Sequence, residues 1–254
     1  MERNLRSAGE RLLLLDVGNS SVSCGVVRDG LFVERFSVAA VEGDLLDELR
    51  KRGSFDILVA ASVNPPLWKA VERELGRLAS SVLLVGRDVT VPIEIDLEAP
   101  EEVGADRLLN GLAAFERFGA AVVVDCGTAV TFDVVAPEGV YLGGAIAPGL
   151  NLTARALARW CALLPRIDPD SNPPLLGRNT HQAISSGLVH GLAAMVDGMI
   201  ERYRSALDFD FVAIATGGQA HIIAPKTRYI DDFIPGLTLE GLLRTYRRHA
   251  GADA

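Results

Sequence analysis

The sequence has 254 residues, a formal net charge of −8 and a hydrophobic fraction of 49%. This length suits one large domain or two small ones, and the composition is typical of a globular protein with a sizeable core. The acidic balance disfavours non-specific nucleic-acid binding, which needs a basic surface, so no nucleic-acid partner is expected. No window approaches the roughly 18 consecutive apolar residues of a membrane span, so no membrane association is expected either.

The cysteines and the N-terminal segment favour a cytoplasmic protein. Cys24, Cys126 and Cys161 lack C-x-x-C spacing, and they fit reduced thiols better than a disulfide framework or a zinc site. The first residues, MERNLRSAGER, are polar and lack the apolar core of a secretory signal. Residues 1–11 are therefore expected to form a disordered extension.

In chain order, the hydrophobic patterns predict alternating strands and helices. The first half gives strands within 12–27 and 31–38, a helix at 44–52, a strand at 56–61, a helix at 67–78, a strand at 82–85, an extended edge segment at 89–97 and a helix from about 106 to 118. The second half gives a hairpin at 121–135, helices at 151–162 and 181–204, strands at 212–216 and 227–230, and a terminal helix at 237–249. This alternation predicts the α/β class.

The predicted hairpin at 121–135, AVVVDCGTAVTFDVV, repeats a pattern that occurs earlier in the chain as LLLLDVGNSSVSCGVV at 12–27. Self-similarity of this kind predicts two like domains, each beginning with a strand–turn–strand–turn–strand unit. Four residues of the first copy fall on similar residues of the second at one offset: Asp16 on Asp125, Gly18 on Gly127, Gly30 on Gly139 and Phe32 on Tyr141.

The turn of each hairpin combines an acid, a glycine and hydroxyl side chains. Backbone N–H groups in such a turn, with hydroxyls such as Thr128 and Thr131 beside them, suit phosphate oxygens. An acid at the strand end would hold a cation or a water bound to one. We call Asp16–Ser20 and Asp125–Thr128 the first and second phosphate turns.

Three further features admit both a structural and a functional interpretation. The Asp106-Arg107 pair at a helix start is either a surface ion pair or part of a site. The glycines at 143, 144 and 149 either close a strand or let a ligand approach the backbone. Gly187 and Gly191, one helical turn apart, suit core packing as well as a dimer contact.

The P-loop, dinucleotide-binding, hydrolase and zinc-protease signatures are absent from the sequence. What remains is the pair of phosphate turns, the Thr-Gly-Gly that follows the strand at 212–216, and the Asp-Arg pair. Together they predict an ATP-dependent phosphotransferase, because phosphoryl transfer needs positioning and charge neutralisation more than covalent chemistry.

The paired turns resemble those of the actin/hexokinase/Hsp70-type ATPase superfamily, and the finer set is similar to type III pantothenate kinases. The motifs are D-x-G-N-[ST] at Asp16–Ser20, P-x-x-x-G-A-D-R at Pro100–Arg107, D-x-G-T-A-x-T at Asp125–Thr131, G-G-x-I-x-P-G at Gly143–Gly149, G-R-N-T at Gly177–Thr180 and T-G-G at Thr216–Gly218. The resemblance implies two similar ribonuclease H-like (actin-like ATPase) domains, with a nucleotide cleft between them. We expect domains at 1–117 and 118–254, with a terminal helix at 237–250 that could pack back on the first.

The resemblance also implies the phosphorylation of pantothenate by ATP, with Mg²⁺, a monovalent cation (K⁺ or NH₄⁺) and a functional homodimer. It implies these roles for residues of this chain: Asp106 as general base; Gly104, Ala105, Arg107, Leu97 and Thr180 in pantothenate binding, with Thr180 reaching the facing subunit; Asp16, Gly18, Asn19, Ser20, Gly127, Thr128, Gly217 and Gly218 in ATP binding; Asp16 in Mg²⁺ binding through water; and Asp125 in monovalent-cation binding. Two positions depart from the family pattern. Leu97 stands where a Tyr is common, and Ala99 stands where an Asn is common.

Two alternatives stay open at the level of the sequence. One is another small-molecule kinase of the same superfamily, such as a sugar kinase, although the chain is short for a hexokinase. The other is a non-catalytic regulatory factor with the same fold. Retention of Asp16, Asp106 and Asp125 argues against the second alternative, because grouped carboxylates are costly unless they are used.

Overall fold

The computed structural model describes residues 9–251, which divide into two compact units. Among these residues, unit 1 comprises 9–93, 99–113 and 236–251, and unit 2 comprises 94–98 and 114–235. The division falls within a helix, between Ala113 and Ala114, and the terminal helix belongs to unit 1. The predicted domain ranges, 1–117 and 118–254, stay a prediction.

Unit 1 contains one described sheet of five strands in the order β3-β2-β1-β4-β5. The strands are β1 (Arg11–Val17), β2 (Ser21–Arg28), β3 (Leu31–Ala39), β4 (Phe55–Ser62) and β5 (Ala79–Leu84). The first three strands are antiparallel neighbours, whereas β4 lies parallel to both β1 and β5. The helices of this unit are α1 (Glu42–Arg50), α2 (Pro65–Leu78), the first part of α3 (Ala105–Phe118) and α7 (Leu237–His249).

The continuous leucine run of β1 is explained by burial on both faces of the sheet. Leu13 and Leu15 lie in a core cluster with α1 and α2, whereas Leu12 and Leu14 lie in a second cluster with α3 and α7. Because successive strand residues point to opposite faces, one run of leucines supplies both cores.

Unit 2 repeats this arrangement, with a described sheet in the order β11-β10-β7-β8-β9-β6. The strands are β6 (Glu94–Ile95), β7 (Ala121–Cys126), β8 (Ala129–Val135), β9 (Val140–Pro148), β10 (Val212–Thr216) and β11 (Asp232–Phe233). Helices α4 (Leu150–Trp160), α5 (Thr180–Ala206) and α6 (Ala220–Ile223) pack on one face. The order β9-β8-β7-β10-β11 matches β3-β2-β1-β4-β5, which confirms the predicted duplication and the α/β class.

The two copies differ by one residue at the phosphate turn. In the first turn, the Gly18 N–H donates to the Ser21 carbonyl, three residues on, whereas in the second the Gly127 N–H donates to the Ala129 carbonyl, two residues on. The constant difference in residue number between the two copies therefore applies up to the turn, and it applies again after the second strand of each hairpin. Along β2 and β8 it is one residue smaller, so that Thr131 of β8 corresponds to Ser23 of β2.

Two sequence predictions need correction. The strand expected at 227–230 is wrong, because the Asp197 carboxylate accepts the N–H groups of Arg228 (2.8 Å) and Tyr229 (3.3 Å); the strand of this region is β11. Arg11, assigned to a disordered extension, is the first residue of β1, where its backbone N–H donates to Asp56 Oδ2 at 2.7 Å. Residues 1–8 of that expected extension lie outside the described residues.

Helix α5 is the one described helix long and apolar enough to suit a membrane span by length and composition. It passes this test, although the sequence has no continuous apolar run of that length. However, 56% of its most apolar window is buried inside the protein, and residues such as Val189, Val196 and Ile200 lie in the core of unit 2. A single helix of this kind is weak evidence for a membrane, because the core helix of a globular protein has the same composition.

Candidate active site

The first phosphate turn joins β1 to β2 in unit 1 and is held by the start of α2. Asn64 caps α2 by accepting the Leu67 N–H at 3.2 Å, and its Nδ2 donates to the Gly18 carbonyl at 3.2 Å. Asn19 and Ser20 are exposed. The sequence prediction missed this contribution of Asn64, although an Asn directly before Pro65-Pro66 is a recognisable N-cap signal. The turn therefore presents its polar groups to solvent from a fixed backbone.

The Asp-Arg motif lies at the start of α3, also in unit 1. Asp106 Oδ1 accepts the Arg107 backbone N–H at 2.9 Å. Burial raises the pKa of the Asp106 carboxyl above its usual 3.8, and the hydrogen bond from Arg107 opposes this shift without cancelling it. A half-buried carboxyl with a raised pKa is a stronger proton acceptor than an exposed one.

Gly104 and Val63 bring this motif to the first phosphate turn. A Cβ at Gly104 would lie 2.5 Å from Asp106 Oδ1 and 3.5 Å from Val63 Cγ1, so a larger residue would displace the carboxylate. The Val63 N–H in turn donates to the carbonyl of Val17, at the end of β1. Unit 1 thus brings together two motifs that are more than 80 residues apart in the sequence.

The second phosphate turn lies between β7 and β8 in unit 2, where two other glycine motifs converge on it. The Gly149 N–H donates to the Thr128 carbonyl at 3.1 Å, and the Gln219 N–H donates to the Cys126 carbonyl at 2.9 Å. A Cβ at Gly149 would overlap the Gly127 carbonyl oxygen. The Pro148-Gly149 and Thr-Gly-Gly segments therefore form the backbone walls of this turn, and close packing against the turn backbone accounts for glycine at position 149.

Gly217 packs as closely against the second phosphate turn as Gly149 does. Its φ of +92° lies in the left-handed region, and a Cβ there would overlap Asp125 Oδ1 and lie 2.7 Å from the Cys126 carbonyl carbon. By contrast, a Cβ at the neighbouring Gly218 would meet no described atom within 4 Å. Gly217 thus allows the Thr-Gly-Gly segment to pack closely against Asp125, whereas the space next to Gly218 is open.

Leu97 and Thr180, the predicted substrate residues outside the Asp-Arg motif, both lie in unit 2. Leu97 packs on β9, since a Cβ at Gly143 would lie 2.9 Å from Leu97 Cδ2. Thr180 is the exposed first residue of α5, directly after its cap Asn179, whose Oδ1 accepts the Gln182 N–H at 2.8 Å. Thr180 borders a groove of about 640 Å³ between α4 and α5.

The buried thiols beside the phosphate turns carry no predicted role in catalysis. Burial raises the pKa of Cys24 and of Cys126 to about 12, and the nearby Asp125 adds to the shift of Cys126. Both thiols therefore stay protonated near neutral pH and are poor nucleophiles and metal ligands. The three cysteines are free, and Cys161 is exposed.

The carboxylates at the phosphate turns suit a metal ion that phosphate oxygens also help to bind. Among residues 9–251, no three His, Cys, Asp or Glu side chains form a cluster that could hold an ion unaided. Mg²⁺ in phosphoryl-transfer sites is usually held by one or two carboxylates, phosphate oxygens and water. One carboxylate lies at each phosphate turn, Asp16 in unit 1 and Asp125 in unit 2.

Comparison with known proteins shows that most of the chain is similar to one family. The family model for type III pantothenate kinase matches residues 12–202. The type III pantothenate kinase of Moorella thermoacetica is 36% identical over 252 residues, covering 94% of this chain and 99% of the relative. That of Syntrophotalea carbinolica is 38% identical over 257 residues, with coverages of 94% and 100%.

The chain belongs to the type III pantothenate kinase family. The matched span includes the motifs from Asp16 to Thr180, whereas Thr216–Gly218 follows it. The full-length relatives extend the type III pantothenate kinase relationship across nearly the whole chain.

Solved structures show the actin-like fold. An archaeal actin homologue, Ta0583, aligns with a TM-score of 0.54 at 10% identity, covering 94% of this chain and 99% of that chain. A Campylobacter jejuni protein described as a Baf family transcriptional activator aligns with a TM-score of 0.61 at 20% identity, with the same coverages. At these identities the likeness concerns the fold alone. The predicted actin-like architecture of this type III pantothenate kinase family member is confirmed.

Proposed function

We propose that this protein transfers the γ-phosphoryl group of ATP to the primary hydroxyl of pantothenate, giving 4′-phosphopantothenate in the first step of coenzyme A synthesis. The observation that carries this proposal is membership of the type III pantothenate kinase family over 94% of the chain. The convergence of the glycine motifs on the second phosphate turn supports it, because phosphoryl transfer depends on positioned backbone groups.

Asp106 is the proposed general base. It would accept the proton of the pantothenate hydroxyl as that oxygen attacks the γ-phosphorus of ATP. Its half-buried position and raised pKa support this role, because a base works best when its pKa approaches the working pH. Pantothenate would contact Gly104, Ala105 and Arg107, with the guanidinium of Arg107 facing its carboxylate.

The two phosphate turns are proposed to bind the ATP phosphates. In unit 1, Asn19 and Ser20 with the Gly18 backbone would contact phosphate oxygens, and Asp16 would hold Mg²⁺ through water. In unit 2, Gly127 and Thr128 would contact phosphate. Mg²⁺ supplies charge neutralisation to the transferring group when it is bound.

The other parts of ATP and pantothenate are assigned to unit 2. The flat backbone at Gly217 and Gly218 is proposed to border the adenine ring of ATP. Leu97 is proposed to form an apolar wall for pantothenate. We assign a monovalent cation, K⁺ or NH₄⁺, to Asp125. We also propose that the protein works in the cytoplasm, which suits its three free thiols.

A kinetic assay tests the proposed reaction. The purified chain, with Mg-ATP and either K⁺ or Na⁺, is expected to phosphorylate pantothenate and to turn over faster with K⁺. A panel of sugars serves as the comparison. Turnover of a sugar without turnover of pantothenate would contradict the proposal in favour of a sugar kinase. No turnover of any acceptor would favour a non-catalytic regulatory role.

The groove between α4 and α5 and the apolar residues near it support a homodimer in which Thr180 reaches the pantothenate pocket of the facing subunit. Trp160, Leu163 and Leu176 expose between 78% and 94% of their surface. A Cβ at Gly187 or Gly191 of α5 would meet no described atom within 4 Å, so the packing of this chain alone does not require glycine there. An exposed apolar patch of this kind is typical of a subunit interface.

Light scattering and sedimentation test the dimer. The parent is expected to have twice the chain mass of 27.1 kDa, and the double variant Trp160→Glu/Leu176→Glu is expected to be monomeric with much lower activity. Leu31→Glu, at an equally exposed leucine of unit 1, is the matched control and should keep the parental mass. A monomeric parent with full activity would contradict the proposal.

A further inference from the structure

Unit 2 contains a completely buried carboxylate that no predicted role explains. Asp133 of β8 has no exposed surface, and both its oxygens accept hydrogen bonds from hydroxyl groups. Thr131 Oγ1 donates to Oδ2 at 2.7 Å, and the Tyr141 hydroxyl donates to Oδ1 at 2.7 Å. Burying a carboxyl group is costly unless such donors compensate it, so Asp133 depends on its hydroxyl partners to stay buried in unit 2.

The fold itself does not require the cluster, because the first copy of the repeat is built without it. The strand registers place Gly25 and Phe32 of unit 1 at the positions of Asp133 and Tyr141. There, a Cβ at position 25 would lie 2.8 Å from the Phe32 ring, so an aromatic ring fills the space that the carboxylate takes in unit 2. The same backbone is therefore stable with an apolar pair, which suggests that the polar cluster serves the site.

The cluster lies on the same face of the sheet as the acid of the second phosphate turn. Thr131 is the register partner of Asp125 across β7 and β8. Directly opposed residues of an antiparallel pair point to the same face, with Cβ atoms about 4.5–5.5 Å apart. Asp133, two residues along β8, points to that face as well. Asp125, Thr131 and Asp133 thus form one row on the sheet.

The hydrogen bond to Asp133 decides what the Thr131 hydroxyl can do. A hydroxyl has one proton, and in the structure Thr131 donates it to Asp133 Oδ2. With its proton donated to Asp133, Thr131 Oγ1 offers only lone pairs to any further ligand. An oxygen of this kind beside a carboxylate suits a cation, and it cannot donate to a phosphate oxygen.

We propose that Asp133 is a positioning residue that makes Thr131 an acceptor-only ligand for the monovalent cation at Asp125. The inference rests on the proposed cation requirement and deepens it. It assigns to Thr131 the opposite role from the phosphate contact that the turn chemistry of the sequence suggests.

Paired substitutions of Thr131 test the ligand role. Thr131→Val removes the oxygen at nearly constant volume, and Thr131→Ser keeps it. For Thr131→Val, the K⁺ concentration that gives half of the maximal thermal stabilisation, and half of the maximal activity, should rise about tenfold. Thr131→Ser should stay within about twofold of the parent, and the KM for ATP should change less than the K⁺ requirement in both. A parallel Mg²⁺ titration distinguishes the two cations and should be unchanged.

A double-mutant cycle tests whether Asp133 acts through Thr131. Asp133→Asn should weaken K⁺ stabilisation in the parent background and have no further effect in the Thr131→Val background, because the oxygen it orients is absent there. Tyr141→Phe, which removes the hydroxyl that donates to Asp133 Oδ1, should lower the melting temperature and leave the K⁺ requirement unchanged. A purely structural role would make these two variants behave alike.

Three outcomes would overturn the inference: parental K⁺ dependence in Thr131→Val, a raised KM for ATP alone, or a parent whose stability does not respond to K⁺. A failure of the proposed kinase activity is separate from these, because it would show as absent pantothenate turnover while the thermal K⁺ titration still reports on Thr131.

Discussion

Asp106→Asn is expected to lower kcat for pantothenate phosphorylation by about 10²- to 10⁴-fold, the usual contribution of a general base. The amide keeps the shape of the carboxyl, and its oxygen can still accept the Arg107 N–H, so ATP binding should remain within about twofold of the parent. The measurements are steady-state kinetics and calorimetric ATP binding. The exposed Asp44 of α1 provides a control, since Asp44→Asn makes the same change in charge and should keep parental kcat. Near-parental kcat in Asp106→Asn would show that another group accepts the proton.

The same variant should change how stability depends on pH. Because burial raises the pKa of Asp106 in the folded state, ionisation of this carboxyl disfavours folding. Its contribution to stability is fully present below its usual pKa of 3.8 and is lost as pH rises through the folded-state pKa. Asp106→Asn should therefore have a higher melting temperature than the parent at neutral pH. This difference in melting temperature should disappear as the pH falls below 3.8. A variant that melts below the parent at every pH would contradict the burial argument.

Gly217→Ala is expected to destabilise unit 2 and to weaken ATP binding. An L-residue at a φ of +92° is strained, and its Cβ would push against Asp125 Oδ1 and the Cys126 backbone. We expect a loss of about 1–3 kcal/mol in the free energy of unfolding, and a KM for ATP raised about tenfold or more as the second phosphate turn shifts. Denaturant unfolding and ATP kinetics measure the two effects.

Gly218→Ala is the matched control for stability. This neighbour has no positive φ, and an added Cβ would meet no described atom within 4 Å. Its free energy of unfolding should stay within about 1 kcal/mol of the parent. Equal destabilisation by both substitutions would mean that the close contact between Gly217 and Asp125 does not hold the turn.

Much of the fold could be predicted because local chemistry specifies it. The terminal helix has the predicted bounds, Leu237–His249, since its apolar spacing and the glycine before it are short-range signals. The duplicated hairpins could be found because turn residues and β-branched runs repeat at one spacing. The short strand β11 was misplaced because two residues carry almost no pattern, and a side chain of α5, Asp197, binds the segment that was expected to pair.

For the candidate site too, the sequence predicted one part and the tertiary structure decided the other. The sequence by itself determined the candidate residues, namely the two phosphate turns, the Asp-Arg pair and the glycine motifs, together with the family to which the chain belongs. Only the tertiary structure decided how these residues are arranged. It placed Gly149 and Gly217 against the second phosphate turn, tied Gly18 to Asn64, and directed the proton of Thr131 to Asp133. The reason is physical: residue type and spacing are local properties of the chain, whereas the donor or acceptor role of a hydroxyl depends on the partner that folding brings to it.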